Sequence, residues 1–342
     1  RRRKELRFER RRKVDSYSKI TRNLVLTVLP VIFATAVYNI NSLIDVGVFT
    51  RAMEFFGKLA QKTPEKIADE AAGLYGLYSG TYILLTNLPI AISNSLSSSL
   101  IPNISKHMAA RDIRSVHRKI RMALKFSMII AVPSSIGLSI LATPIVRLLF
   151  RMEDASMVPI AIGLIKYGSF SVIFFSLSTV TNGILQGSGR MSRPLINAIF
   201  SLIIHLAALF AFLYIFKMGV FSLIYAHIVF GASMCVLNSI SVRKTLGYRE
   251  DIIRSYIITL IPGILMGVMT YISYKGLQFI LGMNIDEISR RANIIFIIIP
   301  FIVAIITYPL FLVKFRVIRK KEILAMPKGK KIYRLFRRLN LM

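Results

Sequence analysis

What most constrains this chain is the recurrence, eight times over, of apolar stretches long enough to cross a bilayer. A hydrocarbon core roughly 30 Å thick is spanned by about 20 helical residues at about 1.5 Å per residue. The first stretch runs from Asn23 to Ile44, up to Asp45, and the second lies within the uncharged run from Ala71 to Ser105. The third covers Phe126 to Val146, and the fourth begins near Met157, contains Lys166 and continues towards Gly189. Pro194 to Phe216 and Met218 to Val242 form the fifth and sixth, separated only by a tight turn at Lys217-Met218-Gly219. Ser255 to Tyr274 and Ala292 to Val313 are the seventh and eighth. Each is rich in Leu, Ile, Val and Phe without period-two alternation, which predicts helices rather than barrel strands. With 54% hydrophobic residues and a mean hydropathy of +0.60, a soluble globular protein is excluded. The expected class is an all-α integral membrane protein of eight transmembrane helices.

The chain carries 46 Lys and Arg against 16 Asp and Glu, and their placement decides what the excess means. Lysine and arginine are retained on the cytoplasmic side of short loops. With the N-terminus inside, 35 of the 46 fall in cytoplasmic segments, ten on the opposite side, and Lys166 lies within a span. The expected topology therefore has both ends in the cytoplasm, and it accounts for most of the net charge of +30 without nucleic acid. The cluster from Arg1 to Lys13 reads as a topology signal. The C-terminal run from Lys328 to Arg338 interleaves with Ile332, Leu335 and Phe336, as an amphipathic helix on the anionic inner leaflet would. No cleavable signal peptide is evident. The chain opens on Arg1 rather than on Met, and reads as a piece of a longer protein cut in a cytoplasmic loop.

Among the loops, Arg51 to Gly73 is the only sizeable one expected outside, and Thr63-Pro64-Glu65 predicts a short surface helix over Pro64 to Ala72. Prolines fall within the spans, at Pro30, Pro89, Pro133, Pro262, Pro300 and Pro309, where each removes a backbone hydrogen bond and favours a kink.

Polar residues inside the spans carry the functional signal, because an intramembrane charge is costly and normally faces a cavity or a partner. Tyr38, Asn41 and Asp45 share one face of the first span, with Asp45 at its outer end. Asn87, Asn94, Ser97 and Ser98 surround Pro89 in the second. The fourth carries Lys166, Ser169 and Ser176 on one stripe, then Thr179, Asn182 and Gln186. In the fifth, Asn197, Ser201 and His205 recur every four residues. Together these side chains would line a water-filled vestibule; the competing reading is ordinary packing between helices. His205 and His227 have no partner at metal-ligand spacing and read as structural. The single cysteine, Cys235, provides neither a disulfide nor a thiol metal site. No metal ligands, catalytic constellation or nucleotide-binding loop is recognisable, so the chain is not expected to be an enzyme or to use a cofactor. Transport would be driven by an ion gradient, of protons or sodium, or by the substrate gradient.

Several segments resemble a known family. Asn87-Leu88-Pro89-Ile90-Ala91 and Ser99-Leu100-Ile101-Pro102-Asn103-Ile104-Ser105 are similar to the paired helix and cytoplasmic exit of polysaccharide exporters. So are Pro133 followed by Gly137 and Leu138, Ala142-Thr143-Pro144-Ile145-Val146, and Gly183-Ile184-Leu185-Gln186-Gly187 with Pro194 and Asn197. The tail Met326-Pro327-Lys328-Gly329-Lys330-Lys331 is similar to the closing segment of the stage V sporulation protein B and YtgP-like branch. These proteins belong to the multidrug/oligosaccharidyl-lipid/polysaccharide superfamily, which also contains MurJ-like flippases.

The resemblance implies fourteen helices, two lobes of six and two more, around a cavity open alternately to each side. This chain would supply a basic cytoplasmic inter-lobe segment (1–22), the six-helix C-terminal lobe (23–242), two additional helices (253–314) and a basic cytoplasmic tail (315–342). The N-terminal lobe of the same protein would be its partner. The implied activity is outward translocation, across a bacterial cell membrane, of a polyprenyl-diphosphate-linked oligosaccharide or peptidoglycan precursor. The last two helices would hold the polyprenyl tail, Lys166 would pair with phosphate, and Asn41, Asn87, Asn94, Asn182 and Gln186 would bind sugar. Two alternatives stand beside it. One is a cation-coupled multidrug antiporter of the same fold that uses Asp45 as its proton- or sodium-linked carboxylate; the other is a non-transporting scaffold for cell-wall synthesis.

Overall fold

The computed structural model describes residues 16–150, 152, 154–249, 256–282 and 292–318. The basic clusters from Arg1 to Lys13 and from Lys328 to Arg338 therefore lie outside the described residues, as does the motif around Pro327. Every regular element among the described residues is helical. Helix α1 runs from Tyr17 to Leu59, α2 from Pro64 to Leu77, and a π-helical segment, Tyr78–Ile83, joins α2 to α3, Leu84–Ala109. Then come α4 (Ile113–Ile140), α5 (Ala142–Leu149), α6 (Met157–Gly168) and α7 (Ser171–Gly187). The remainder are α8 (Ser192–Phe210, extended by a π-helical segment Ala211–Ile215), α9 (Phe221–Leu246), α10 (Ile258–Leu281) and α11 (Ile295–Lys314).

Among the described residues, six helices are long and apolar enough to cross a membrane: α1, α4, α8 with its extension, α9, α10 and α11. The pair α6 and α7, bent by 45° at residues 169–170, makes a seventh if it counts as one span. The chain is thus a multi-pass membrane protein, and all eight expected spans are present as helices, though not all are apolar enough to count by length and composition. The second expected span is present as α3, and its serines and asparagines, Asn87, Ser93, Asn94, Ser97, Ser98 and Asn103 among them, leave it short of the apolar content of the others.

Other boundaries shift for local reasons. Helix α1 does not stop at Asp45. Arg51, Glu54 and Lys58 are good helix formers, and no proline intervenes between Asp45 and residue 60, so the helix continues for 43 residues, roughly 64 Å at about 1.5 Å per residue. The expected outer loop from Arg51 shrinks to residues 60–63, closed by an ion pair between Lys62 and Glu70. Pro64 does open a helix, but that helix runs past Ala72 into α3 instead of ending on the surface. The third expected span is interrupted at Leu141, which ends α4 and precedes α5. The expected turn after the α8 extension is present, with Gly219 at φ +56°, and a turn after α7 has Gly189 at φ +80°. All six predicted intrahelical prolines sit within helices.

Because lipid tails are as apolar as leucine, close packing and internal hydrogen bonds, more than exclusion of water, hold such helices together. The closest association is α3 on α7. There Gly183 and Gly187, one turn apart, lie against the α3 backbone. A Cβ on Gly183 would collide with Ser97, and one on Gly187 would stand 2.9 Å from the Ile101 carbonyl oxygen. Ser97 and Ser105 hydroxyls donate across the seam to the carbonyls of Thr179 and Gly187, both at 2.9 Å. Helix α9 packs on α7 and α8, α1 leans on α8 and α2, and α10 and α11 pack on each other, with α10 also against α4. One apolar core joins α3, α4, α7 and α9 around Ile104, Leu124 and Ile184; another joins α1, α6, α8 and α9 around Phe49, Leu164 and Leu223.

Candidate functional site

Two places in this bundle are chemically distinctive: a buried polar junction between α1, α8 and α9, and an apolar groove between α4 and the last two helices.

The junction is built around His205, in the middle of α8 and fully buried. Its Nε2 lies 2.7 Å from Asp45 Oδ1 on α1, and its Nδ1 lies 2.9 Å from the Ala226 carbonyl oxygen on α9. Asp45 is 1% exposed, so it is a carboxylate of the bundle interior. Because α1 continues past it, the carboxylate faces the bundle where α8 crosses. Asn41, one turn earlier on the same face, donates its amide to Asp45 Oδ2 at 3.5 Å, while its own carbonyl oxygen is buried without a partner. Aromatic side chains enclose the pair. Phe230 meets the His205 ring edge-on at 5.8 Å between centroids, and Tyr78 and Tyr82 pack between α1 and α6. His227, the second expected structural histidine, is stacked on Phe175 at 4.4 Å and meets Tyr82 edge-on.

Nearby, a second polar cluster links α7, α8 and α9. Asn197 donates to Asn238 Oδ1 at 2.8 Å and to Ser241 Oγ at 3.0 Å, and Asn238 in turn donates to Asn182 Oδ1 at 2.8 Å. Asn197, Ser201 and His205 are all buried, so their stripe joins helices and does not border a vestibule. The stripe of Lys166, Ser169 and Ser176 is broken by the bend between α6 and α7. Lys166 itself is exposed at the end of α6, with Nζ 5.7 Å from the Tyr167 ring centroid. Asn87 and Asn94 are exposed on one face of α3, and Gln186 is half-buried near the end of α7.

The groove, about 600 Å³ in volume, is lined by Leu88 and Pro89 of α3, Gly137 and Leu138 of α4, and Phe301 and Ile305 of α11, among others. Its wall holds three hydroxyl-bearing side chains, and all three turn to backbone carbonyls: Ser134 to Ile130, Thr270 to Met266 and Tyr308 to Ile129, each at 2.8 Å. The wall thus offers hydrocarbon to an occupant. Ser139, beside groove-lining Leu138, donates to the Lys166 carbonyl oxygen at 2.9 Å, which ties the end of α6 to the helix forming the wall.

Of the expected site residues, the structure brings Asn41 and Asp45 together and adds His205, while Asn182 belongs to the asparagine cluster. Lys166, Asn87 and Asn94 stay on exposed faces. The sequence offered one signal for His205: an ionisable residue in the middle of an apolar span needs a partner. Its partner lies 160 residues away and is not readable from spacing.

Comparison with known proteins places this architecture. The model of the lipid II flippase MurJ family matches residues 3–285. The chain is 22% identical over 273 residues to lipid II flippase MurJ of Bacillus subtilis (strain 168), covering 79% of this chain and 47% of that protein. It is 29% identical over 154 residues to the probable lipid II flippase MurJ of Aquifex aeolicus (strain VF5), covering 44% of this chain and 29% of that one. The chain therefore spans about half, or less, of the length of these relatives. Among solved structures, it resembles an outward-facing multidrug resistance MATE family transporter of the MOP superfamily, with TM-score 0.50 and 16% identity, over 83% of this chain and 63% of that one. A MATE in complex with MaL6 gives TM-score 0.50 and 15% identity, over 88% and 66%. These likenesses show the fold.

Proposed function

Since the chain belongs to the lipid II flippase MurJ family, we propose that it forms the second lobe and two additional helices of a flippase that carries a polyprenyl-diphosphate-linked cell-wall precursor outward by alternating access. The observation that carries this reading is the groove between α4 and α11, whose three hydroxyls are satisfied internally and whose surface is almost wholly carbon. A long hydrocarbon tail matches such a wall; a sugar or a hydrated ion does not. Lys166, at the end of the helix tied to that wall, is the cation for the diphosphate, and the exposed Asn87 and Asn94 with Gln186 are donors and acceptors for the head group. Asn41, Asp45 and Asn182 are engaged between helices, and in this reading they act on the lobe itself. Residues 23–242 work as the lobe and 253–314 as the added helices, with residues 1–22 and 315–342 in the cytoplasm.

Photocrosslinking tests the groove directly. The reading frame encoding this chain, expressed in full with a photoreactive residue in place of Ala304, should capture lipid II, and excess unlabelled polyprenyl diphosphate should compete. The same residue placed at Val236, on the exposed face of α9, serves as the control. Equal capture at the two positions would contradict the assignment.

A further inference from the structure

Hydrogen-bond chemistry at His205 carries a conclusion that the groove does not. The Ala226 carbonyl oxygen can only accept, so at 2.9 Å the Nδ1 facing it must carry a proton. At 2.7 Å from Asp45 Oδ1, Nε2 and the carboxyl oxygen must share a second proton, because two facing lone pairs would repel. That proton resides either on Nε2, giving an imidazolium beside a carboxylate, or on Oδ1, giving a carboxylic acid that donates to a neutral ring. In both arrangements the junction binds one dissociable proton. When that proton leaves, a carboxylate and a neutral imidazole bearing only Nδ1–H remain, and the net charge of the pair falls from zero to minus one. A negative charge would then stand 2.7 Å from a lone pair in a bundle interior, where it is poorly screened.

We propose that the Asp45–His205 junction is a proton-binding site whose occupancy fastens α1 to α8, so that translocation is coupled to a proton gradient and not to sodium. The pair is fully enclosed, with both side chains essentially without exposure, and bridges three helices through Asp45, His205 and Ala226. Beyond the core around Phe49, α1 is lightly packed: 7% of its most apolar stretch is buried, and its principal neighbours are α8 and α2. Loss of the proton therefore weakens one of the contacts that hold this long helix. The titratable groups facing the junction are phenols and one imidazole: Tyr75 on α2, Tyr78 and Tyr82 on the π-helical segment, which feel the charge of Asp45, and His227 on α9, which feels that of His205. Tyr75 donates to the Ser42 carbonyl and Tyr82 to Ser171 Oγ, which leaves the carboxylate to His205 and Asn41. The unpartnered Asn41 carbonyl oxygen is a second acceptor beside the proton.

This inference rests on the transporter reading for its purpose, but not for its test. In the full reading frame in nanodiscs, ¹⁵N-histidine labelling reports the ring states, with His205 assigned by its loss in His205→Gln. The expected result is one proton gained and lost by the pair, read from the His205 ring nitrogens together with a ¹³C-labelled Asp45 carboxyl, and altered in Asp45→Asn. A ring and a carboxyl that both keep one state at every pH at which the protein stays folded would overturn the proposal whether or not any lipid is moved. In proteoliposomes at clamped membrane potential, a proton gradient of one pH unit should raise fluorescent lipid II translocation several-fold. An equal sodium gradient should not, and Asp45→Asn and His205→Gln should lose the response. A wild-type response to sodium alone, or variants that respond like wild type, would also overturn it. Absence of lipid II movement in every protein, with the proton step of the pair intact, would instead count against the substrate reading of the groove.

Discussion

Asp45 and His205, 160 residues apart in the chain, meet at 2.7 Å in the interior of the bundle and join its first long helix to the middle of α8. Removing one partner of a buried pair strands the other, at a cost of about 3 kcal/mol, whereas removing both relieves that penalty. Asp45→Leu and His205→Leu should each lower unfolding stability in detergent by about 3 kcal/mol, and the double variant by clearly less than their sum. Additive losses in the double-mutant cycle would mean that the two side chains do not interact.

Asn238 is the hub of the second polar cluster, donating to Asn182 and to the Ser178 carbonyl and accepting from Asn197. Hydrogen bonds between membrane helices are worth about 0.6 kcal/mol on average and up to about 1.7. Asn238→Ala should therefore destabilise by about 1 to 2 kcal/mol and Asn182→Ala by less. If Asn182 serves packing, both variants should lose translocation only in proportion to lost folded protein, measured by fluorescence-detected size exclusion. A selective loss of substrate affinity in Asn182→Ala would return that residue to the substrate.

Two glycines on different walls should behave oppositely. Gly183 lies where a Cβ would collide with Ser97, while a Cβ on Gly137 meets nothing within 4 Å. Gly183→Val should cost about 1 to 3 kcal/mol through overpacking of α3 on α7. Gly137→Phe should fold normally and occupy the groove, so capture of polyprenyl lipid at Ala304 should fall while thermal stability holds. Unimpaired capture by Gly137→Phe would mean that the tail lies elsewhere.

Outside the membrane, Asp112 caps α4. The Ser115 side chain and then its backbone N–H, which reaches the carboxylate at 3.0 Å, hold the Asp112 carboxyl below the ordinary value of about 3.9. A carboxyl depressed in the folded state contributes stability that is present above its unfolded value and is lost as pH falls through the folded one. Protection of the Ser115 and Val116 amides, relative to their intrinsic exchange rates, should therefore be full above about pH 4 and fall only in stronger acid. Asp112→Ala should show the faster exchange already at neutral pH.

The sequence made the class, the helical spans and their membrane character legible, because apolar length is a local property. Boundaries were less so. The charge of Asp45 ends an apolar run and not a helix, so α1 passes through Asp45 to Leu59. That one difference turns Asp45 from a surface group into an interior one. Its partner could not be read from spacing, since helices apart in sequence meet only in the fold. The groove was anticipated in kind, from the resemblance, but its internally satisfied hydroxyls required coordinates. The polar stripe on α8 was seen correctly as one face, yet what that face met, α9 and α1 instead of water, is a property of packing.

The most direct test of the central claim uses the full reading frame encoding this chain, expressed in cells depleted of their own lipid II flippase, with externally accessible lipid-linked precursor followed over time. Restored exposure, sharply reduced by Lys166→Ala at unchanged membrane level, is the predicted result. Correctly inserted protein that leaves the precursor inside, or Lys166→Ala acting like wild type, would contradict the account.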